Sequence, residues 1–355
     1  MNKDFRELAR CAAHGTVPAG SPENYALVDV DKAFREELAT YCSSIAMFMK
    51  NRFDLYEIIT ENADEITPKK VLDIFGSVAE IKYVGQGQRA RFKMSNAKSK
   101  MRAKKFLTQV GLSGVYESFR LDSTEFEVSA HANGESIRVD FERVLDGAES
   151  LRELMDILAE GMADMVFVEI HKALRAVVDS PLMSATNKVT TSGFQGDKML
   201  KVCNVVKNYA PGHTCAIFAC PEFIDEMGPD AIVPGTDAYQ GIYHPDDIDA
   251  IHNGGRIKLF RGNPVIELPQ SFVDTNNNKT WLDPQLAYIL PTGGEKIVKV
   301  VFEGNTQMYD EVGADQAVEM HAYRKLGVGI QTYYNFGVYK NSAITQTMYN
   351  PYENL

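Results

Sequence analysis

The sequence predicts an α+β protein in which one unit carries a second, α/β unit as an insertion, and three observations predict it. From Asp146 to Ser180 the apolar residues Leu151, Leu154, Met155, Leu158, Met162, Met165, Phe167, Ile170, Leu174 and Val177 return mostly at three- and four-residue steps, while Arg152, Glu153, Asp156, Glu160, Asp164, Lys172 and Arg175 fill the opposite face. That is one amphipathic helix of roughly 45 Å at 1.5 Å per residue, long enough to act as a frame for several sheets or several subunits. Before it, from about 78 to 144, and after it, from 295 on, the hydrophobic period falls to two, the signature of strands. Between 197 and 291 the pattern alternates helix and strand, as a compact α/β unit does.

In chain order, residues 1–30 hold Gly15, Pro18, Gly20 and Pro22, which interrupt helices, so an extended arm with one short helix at its start is expected. Phe34, Leu38, Tyr41, Ile45, Phe48, Met49, Phe53 and Tyr56 step at helical spacing from an N-cap at Asp31, and a separate helix begins at Pro68, where proline suits a first turn. The segments VAEIKYV, QRARFKM, VYESFRLD, TEFEVSA and ESIRVDFERV read as antiparallel hairpins, with Asn133-Gly134 as a turn signal. Ser150 or Asp146 caps the long helix, and the proline at 181 ends it, because its ring disfavours helical geometry one residue earlier. In the insertion, 198–209 is helical, HTCAIFAC a buried strand, PEFIDEM a short helix, 246–253 a helix, and RIKLFRG, NPVIELP and LAYILP strands. The strands EKIVKVVFEG, QAVEMHAYRK and VGIQTYYNFGVYK return to pair with the earlier hairpins, and the tail NPYENL is surface strand or coil. The resulting division is 1–77, 78–145, 146–196, 197–291 and 292–355.

Composition narrows the function. A chain of 355 residues with 45% apolar content can bury a sizeable core. No run of about 18 apolar residues spans a membrane and the start does not read as a signal peptide, so a cytosolic protein is expected. Cys11, Cys42, Cys203, Cys215 and Cys220 are odd in number and never spaced as CxxC, which fits reduced core thiols and neither zinc nor disulfides. The net charge of -11 is segregated: residues 89–105 carry eight basic residues and no acid, leaving -19 for the remainder. Acids gather at 225–249 and at 303–319, where Glu303, Asp310, Glu311, Asp315 and Glu319 have no Lys or Arg between them. Segregation of this kind serves docking between copies. The candidate inter-subunit groups are therefore Arg89, Arg91, Lys93, Lys98, Lys100, Arg102, Lys104 and Lys105 on one side, with Glu303, Asp310, Glu311 and Asp315 on the other.

The sequence carries no recognisable catalytic or cofactor signature, and neither an enzyme nor a cofactor is expected. There is no P-loop; Gly85 and Gly87 sit between strands without a following helix, and residues 111–114 (GLSG) lack the spacing of a nucleophile elbow. His244, Asp246, Asp247, Asp249 and His252 form the densest set of metal-ligating types, yet acids at a helix N-terminus account for the aspartates. His171 and His321 have no companion at ligand spacing and are assigned structural roles. The basic stretch offers only Phe92 and Phe106 for base stacking, so a partner-facing loop is favoured over a nucleic-acid patch, which stays as the alternative.

The order of parts (arm, charged hairpin loop, long helix, inserted α/β unit, return strands) resembles the HK97-fold major capsid proteins of tailed bacteriophages. The closing segment QAVEMHAYRKLGVGIQTYYNFGVYKNSAI and the passage DPQLAYILPTGGEKIVKVVFEGNTQ carry the resemblance further. It implies an HK97-like capsid fold: N-terminal arm, E-loop within 78–145, peripheral domain with a spine helix, and axial domain at 197–291. It also implies a virion protein assembled in the host cytoplasm, building hexamers and pentamers of itself around double-stranded DNA held without sequence specificity. Expected partners are a scaffolding protein, made separately because only some thirty residues precede the first strong helix, together with a portal and a decoration protein. Encapsulin shells share the fold and are the lesser variant.

Overall fold

The computed structural model describes residues 3–18, 26–41, 43–95, 123–139, 151–179, 183–209, 214–227, 256–293, 295–312, 318–331 and 336–349. Three helices open the chain: α1 (Lys3–His14), α2 (Leu27–Tyr41) and α3 (Ile45–Phe75). Then come strands β1 (Ala79–Val84), β2 (Ala90–Ser95), β3 (Ser123–Val128) and β4 (His131–Val139), followed by the long helix α4 (Leu151–Asp179). The inserted unit holds β5 (Lys188–Thr191), α5 (Gly196–Tyr209), β6 (Cys215–Ala219), α6 (Pro221–Met227), β7 (Leu259–Phe260), β8 (Asn263–Glu267), β9 (Lys279–Thr280) and β10 (Leu286–Pro291). Closing the chain are β11 (Val298–Val312), β12 (Val318–Ile330), β13 (Gly337–Asn341) and β14 (Thr347–Met348).

Two principal sheets result, one ordered β1-β11-β12-β4 and the other β5-β13-β10-β6-β8-β7. α4 lies against both, because its residues Ala163, Val166, Phe167, Ile170 and Leu174 fall on one face at helical spacing. That face is in one core with Val298, Val300 and Phe302 of β11 and with Phe218, Tyr288 and Leu290 of the second sheet. Alternate residues of β11 point the other way, and there Val301 packs with Ala90, Phe92 and Val128 of the β2–β3 hairpin. The four-stranded sheet thus separates α4 from that hairpin. The far face of the six-stranded sheet is closed by α5 and α6 through Met199, Val202, Val206, Phe223 and Met227.

Several expectations give way to tertiary contacts. The arm begins with α1, whose Phe5 is fully buried and stacks on Phe34 with ring centroids 5.5 Å apart, so this part of it rests on its own chain. α2 starts at Leu27 rather than after Asp31, and the Asp29 carboxylate reaches back to accept from the N–H of Ala26 at 2.9 Å, half of a capping box. The helical break falls at Ser44, whose hydroxyl caps α3 by accepting from Met47 N–H, and Pro68 lies inside α3. Proline there removes one intrahelical bond, and the packing of Val71 and Phe75 on α4 holds the helix through it.

Among the strands, β1 pairs in parallel with β11, from Ala79 opposite Val298 to Val84 opposite Glu303, instead of forming an antiparallel hairpin with its successor. A period of two marks a strand and is silent about its partner. Asn133 and Gly134 sit within β4, opposite Arg324 and Tyr323, with no turn. A Cβ at Gly134 would come within 3.0 Å of the Tyr323 side chain, so close approach explains this glycine. The third return strand also leaves its expected sheet: β13 pairs with β10 and β5, between the inserted strands. RIKLFRG supplies only Leu259–Phe260, then turns at Arg261 (φ 45°) and Gly262 (φ 79°) into β8, the positive-φ pair that a two-residue hairpin requires. The expected strand at 115–122 and helix at 246–253 lie outside the described residues.

Candidate functional site

The candidate site is a set of charged surfaces, and the β2–β3 hairpin that leads to the basic stretch is its best-defined part. Register places Arg91 opposite Glu127, Phe92 opposite Phe126 and Lys93 opposite Glu125. The pleat therefore turns Ala90, Phe92 and Val128 onto the sheet and the charged residues outward. Glu127 accepts from Arg91 Nε at 2.9 Å and from Arg89 Nη1 at 3.4 Å. Lys82 and Lys299 lie 5.3 Å and 5.4 Å from the Phe92 ring centroid, holding the hairpin base with two cation–π contacts. Arg89 and Arg91 are thus paired within their own hairpin, while Lys98, Lys100, Arg102, Lys104 and Lys105 lie outside the described residues.

The acidic candidates are also engaged internally. Glu303 accepts from the N–H of Gly87 at 2.8 Å and from Lys325 Nζ at 2.9 Å, and these donors, the backbone one first, hold its carboxyl below the usual carboxylate range. Gly87, with φ 77°, serves as this donor in the turn between β1 and β2. Asp310 pairs with Arg52 of α3 at 3.0 Å. Glu311 stands opposite Glu319 across β11 and β12, a like-charge juxtaposition, and Arg138 of β4 stands opposite Glu319 on its other side. Asp315 lies outside the described residues, as does the His244–His252 set; among the described residues no cluster of three metal-ligating side chains occurs.

Sequence reasoning missed the partners that make these acids internal, because Lys325 is 22 positions from Glu303 on the neighbouring strand, and Gly87 and Arg52 are more than two hundred positions from Glu303 and Asp310. Arg52 meets Asp310, and Asp64 of α3 accepts from Thr306 and pairs with Arg324 at 3.1 Å. Arg324 is buried, with its guanidinium carbon 4.0 Å from the centroid of the Phe302 ring. A buried arginine in a strand is the one local signal that a distant carboxylate exists.

α1 is rimmed by charge. Arg6 pairs with Glu57; Glu65 receives Arg10 at 2.8 Å, His14 at 3.2 Å and Lys69 at 3.0 Å. With the Arg10 bond as the largest cause, the Glu65 carboxyl is lowered to about 2. His171, assigned a structural role from sequence, is buried at the junction of α4 with the inserted unit. Its Nε2 accepts from the N–H of Asp283 at 3.2 Å, and Tyr288 Oη lies 3.4 Å from Nδ1. Burial first, then the nearby Arg175 charge, lowers its pKa to about 3, so the ring is neutral and Nδ1 carries the hydrogen. His321 stacks on Tyr309 with centroids 4.9 Å apart. Cys11, Cys203, Cys215 and Cys220 are buried free thiols. No described helix is long and apolar enough to cross a membrane.

A frame helix joining two sheets, with charge gathered on a hairpin at the surface, describes a structural subunit. The particular family follows from sequence: the model of "SPbeta prophage-derived putative capsid protein YonB" matches residues 29–340, and the chain belongs to this family of phage capsid proteins. No curated protein matches the sequence. Among solved structures, the chain is similar to the mature capsid of bacteriophage PhiM1, with 11% identity and TM-score 0.49 over 76% of this chain and 87% of that one. It is also similar to a virus-like particle from Pyrococcus furiosus, with 11% identity and TM-score 0.46 over 79% and 99%. The SrpI encapsulin of Synechococcus elongatus PCC 7942 has 14% identity and TM-score 0.45 over 81% and 92%.

Proposed function

We propose that the chain is the shell-forming subunit of a tailed-phage head, built in the HK97 manner from hexamers and pentamers that enclose double-stranded DNA. The observation that carries this reading is the capsid-family match across residues 29–340. Residues 197–291 gather at the local symmetry axes as the axial domain, and α4 is the spine of the peripheral domain. The basic stretch 89–105, launched by the β2–β3 hairpin, lies on a neighbouring copy. Many modest repeated interfaces then add up over a closed lattice, which is how weak contacts make a stable shell. A scaffolding protein, portal and decoration protein complete the set of partners.

The test is electron microscopy of the overexpressed protein, alone and with the product of its head-scaffold gene. Closed shells are expected from the natural chain. Replacing Lys98, Lys100, Arg102 and Lys104 together by Glu leaves the subunit folded and abolishes shells; natural-looking shells from that variant at low salt would remove the docking role of the stretch. A stable monomer whose binding to DNA falls steeply with salt would select the nucleic-acid alternative.

A further inference from the structure

Beside α4, the segment between β8 and β10 leaves a slot of about 110 Å³ walled by Phe167, Val168, Pro269, Trp281 and Leu282 together with the polar Gln270 and Ser271, with Asp164 also lining it; the Gln270 amide is tied to the Leu282 backbone at 3.0 Å in both directions. The slot's surroundings are apolar and open: Trp281 is 40% exposed, Phe272 47% and Val273 37%. The Trp281 ring is held edge-on to Tyr349, 6.3 Å between centroids, and its backbone N–H donates to Ser271 at 3.1 Å, so the wall is built rather than loose. Asp164 makes no ion pair among the described residues, whereas Glu160, one turn earlier, has Lys70 at 3.6 Å. Burial, and after it the Glu160 charge, raise the Asp164 carboxyl above its ordinary value, and the Lys70 charge only partly offsets them.

We propose that this slot receives a Lys or Arg side chain from the basic stretch 89–105 of a second copy of the chain, its aliphatic stem between Trp281 and Val168 and its charge at Asp164. This rests on the assembly reading above and names the receiving surface. Walls that are apolar along Phe167, Val168, Pro269, Trp281 and Leu282, with polar groups at Gln270, Ser271 and Asp164, suit side chains that bury a stem and keep a charged head near water, and an indole face adds cation–π attraction. Charge complementarity selects the occupant: residues 89–105 carry eight cations and no acid. Topology selects a second copy. The hairpin that launches the stretch packs on Val301, whereas Val300 and Phe302, on the opposite face of β11, join the core that includes Phe167 beside the slot.

Trp281 is the chain's single tryptophan, so its emission reads the slot directly. A synthetic peptide of residues 89–105, which lacks Trp and Tyr, is titrated into the dilute folded subunit at low salt. A saturable blue shift with reduced acrylamide quenching is expected; Asp164→Asn weakens it about tenfold and Asp164→Lys abolishes it. A peptide with Glu at 98, 100, 102 and 104 regains binding to the Asp164→Lys subunit. In assembled shells Trp281 is several-fold less quenched than in free subunits. Equal quenching in shells and subunits, with shells still forming, overturns the slot while leaving shell building intact; failure to form shells under any condition overturns the assembly reading instead. Protection of Trp281 that persists in the isolated full chain at extreme dilution assigns the slot to the chain's own stretch and overturns the second copy.

Discussion

α4 and α1 are both amphipathic helices laid on the rest of the chain, and different forces hold them. α4 buries Val166, Ile170 and Leu174 to within 1% of full burial between two sheets; its buried polar contact is at His171, and its ion pairs beyond the helix, Glu160 with Lys70 and Arg175 with Asp283, lie at the edge. α1 buries Phe5, Ala9 and Ala12, mostly small groups, and is edged by Arg6, Arg10 and His14 on the glutamates of α3. Hydrophobic burial scales with area and resists salt, whereas exposed ion pairs contribute little and are screened. The long helix is thus a permanent joint, and the first helix a contact that solution conditions can tune.

Three measurements would break or sharpen that contrast. Ile170→Ala leaves a cavity between both sheets and should cost about 4 kcal/mol in urea unfolding, with the two sheets melting together. Separate transitions would mean that α4 does not couple them. Next comes acid. Because the folded-state pKa of His171, about 3, lies below its ordinary 6.5, the unfolded chain takes up a proton that the native chain refuses as pH falls. Its contribution is complete above pH 6.5 and is lost progressively down to about pH 3, reaching about 2 kcal/mol by pH 5. Natural protein should lose this amount relative to His171→Gln between pH 7 and 5; parallel curves would exclude the buried neutral ring as the acid-sensitive element. The smallest effect belongs to the rim of α1. Glu65→Gln should weaken the local seating of α1 by roughly 0.5 kcal/mol, an effect that vanishes in high salt, and raise proteolysis near residues 15–18 without shifting global unfolding. A salt-independent loss would place Glu65 in the core instead.

What could be read from sequence follows from range. α4 was visible because its apolar stripe and its proline stop are local, and the strands 286–291 and 298–312 because continuous or alternating β-rich runs have few other solutions. Pairing was not visible. Lys299 alternates with apolar neighbours as any half-buried strand residue does, and only the parallel placement of β1 brings Glu80 opposite it. The proposed charged site was legible as segregation along the chain, yet Arg91, Glu303 and Asp310 find partners in Glu127, Lys325 and Arg52 that a one-dimensional count treats as unrelated.

By itself, then, the sequence determined the kinds of element, the frame helix, the separation of basic from acidic segments and the resemblance to capsid proteins, all properties carried by neighbours within a few turns. Tertiary structure alone decided that α1 rests on α3, that β1 runs parallel to β11, that β13 crosses into the inserted sheet, and that Trp281 and Asp164 meet across more than a hundred residues. The reason is physical: local periodicity specifies which face of an element must be buried, and only the closure of the whole chain specifies against what.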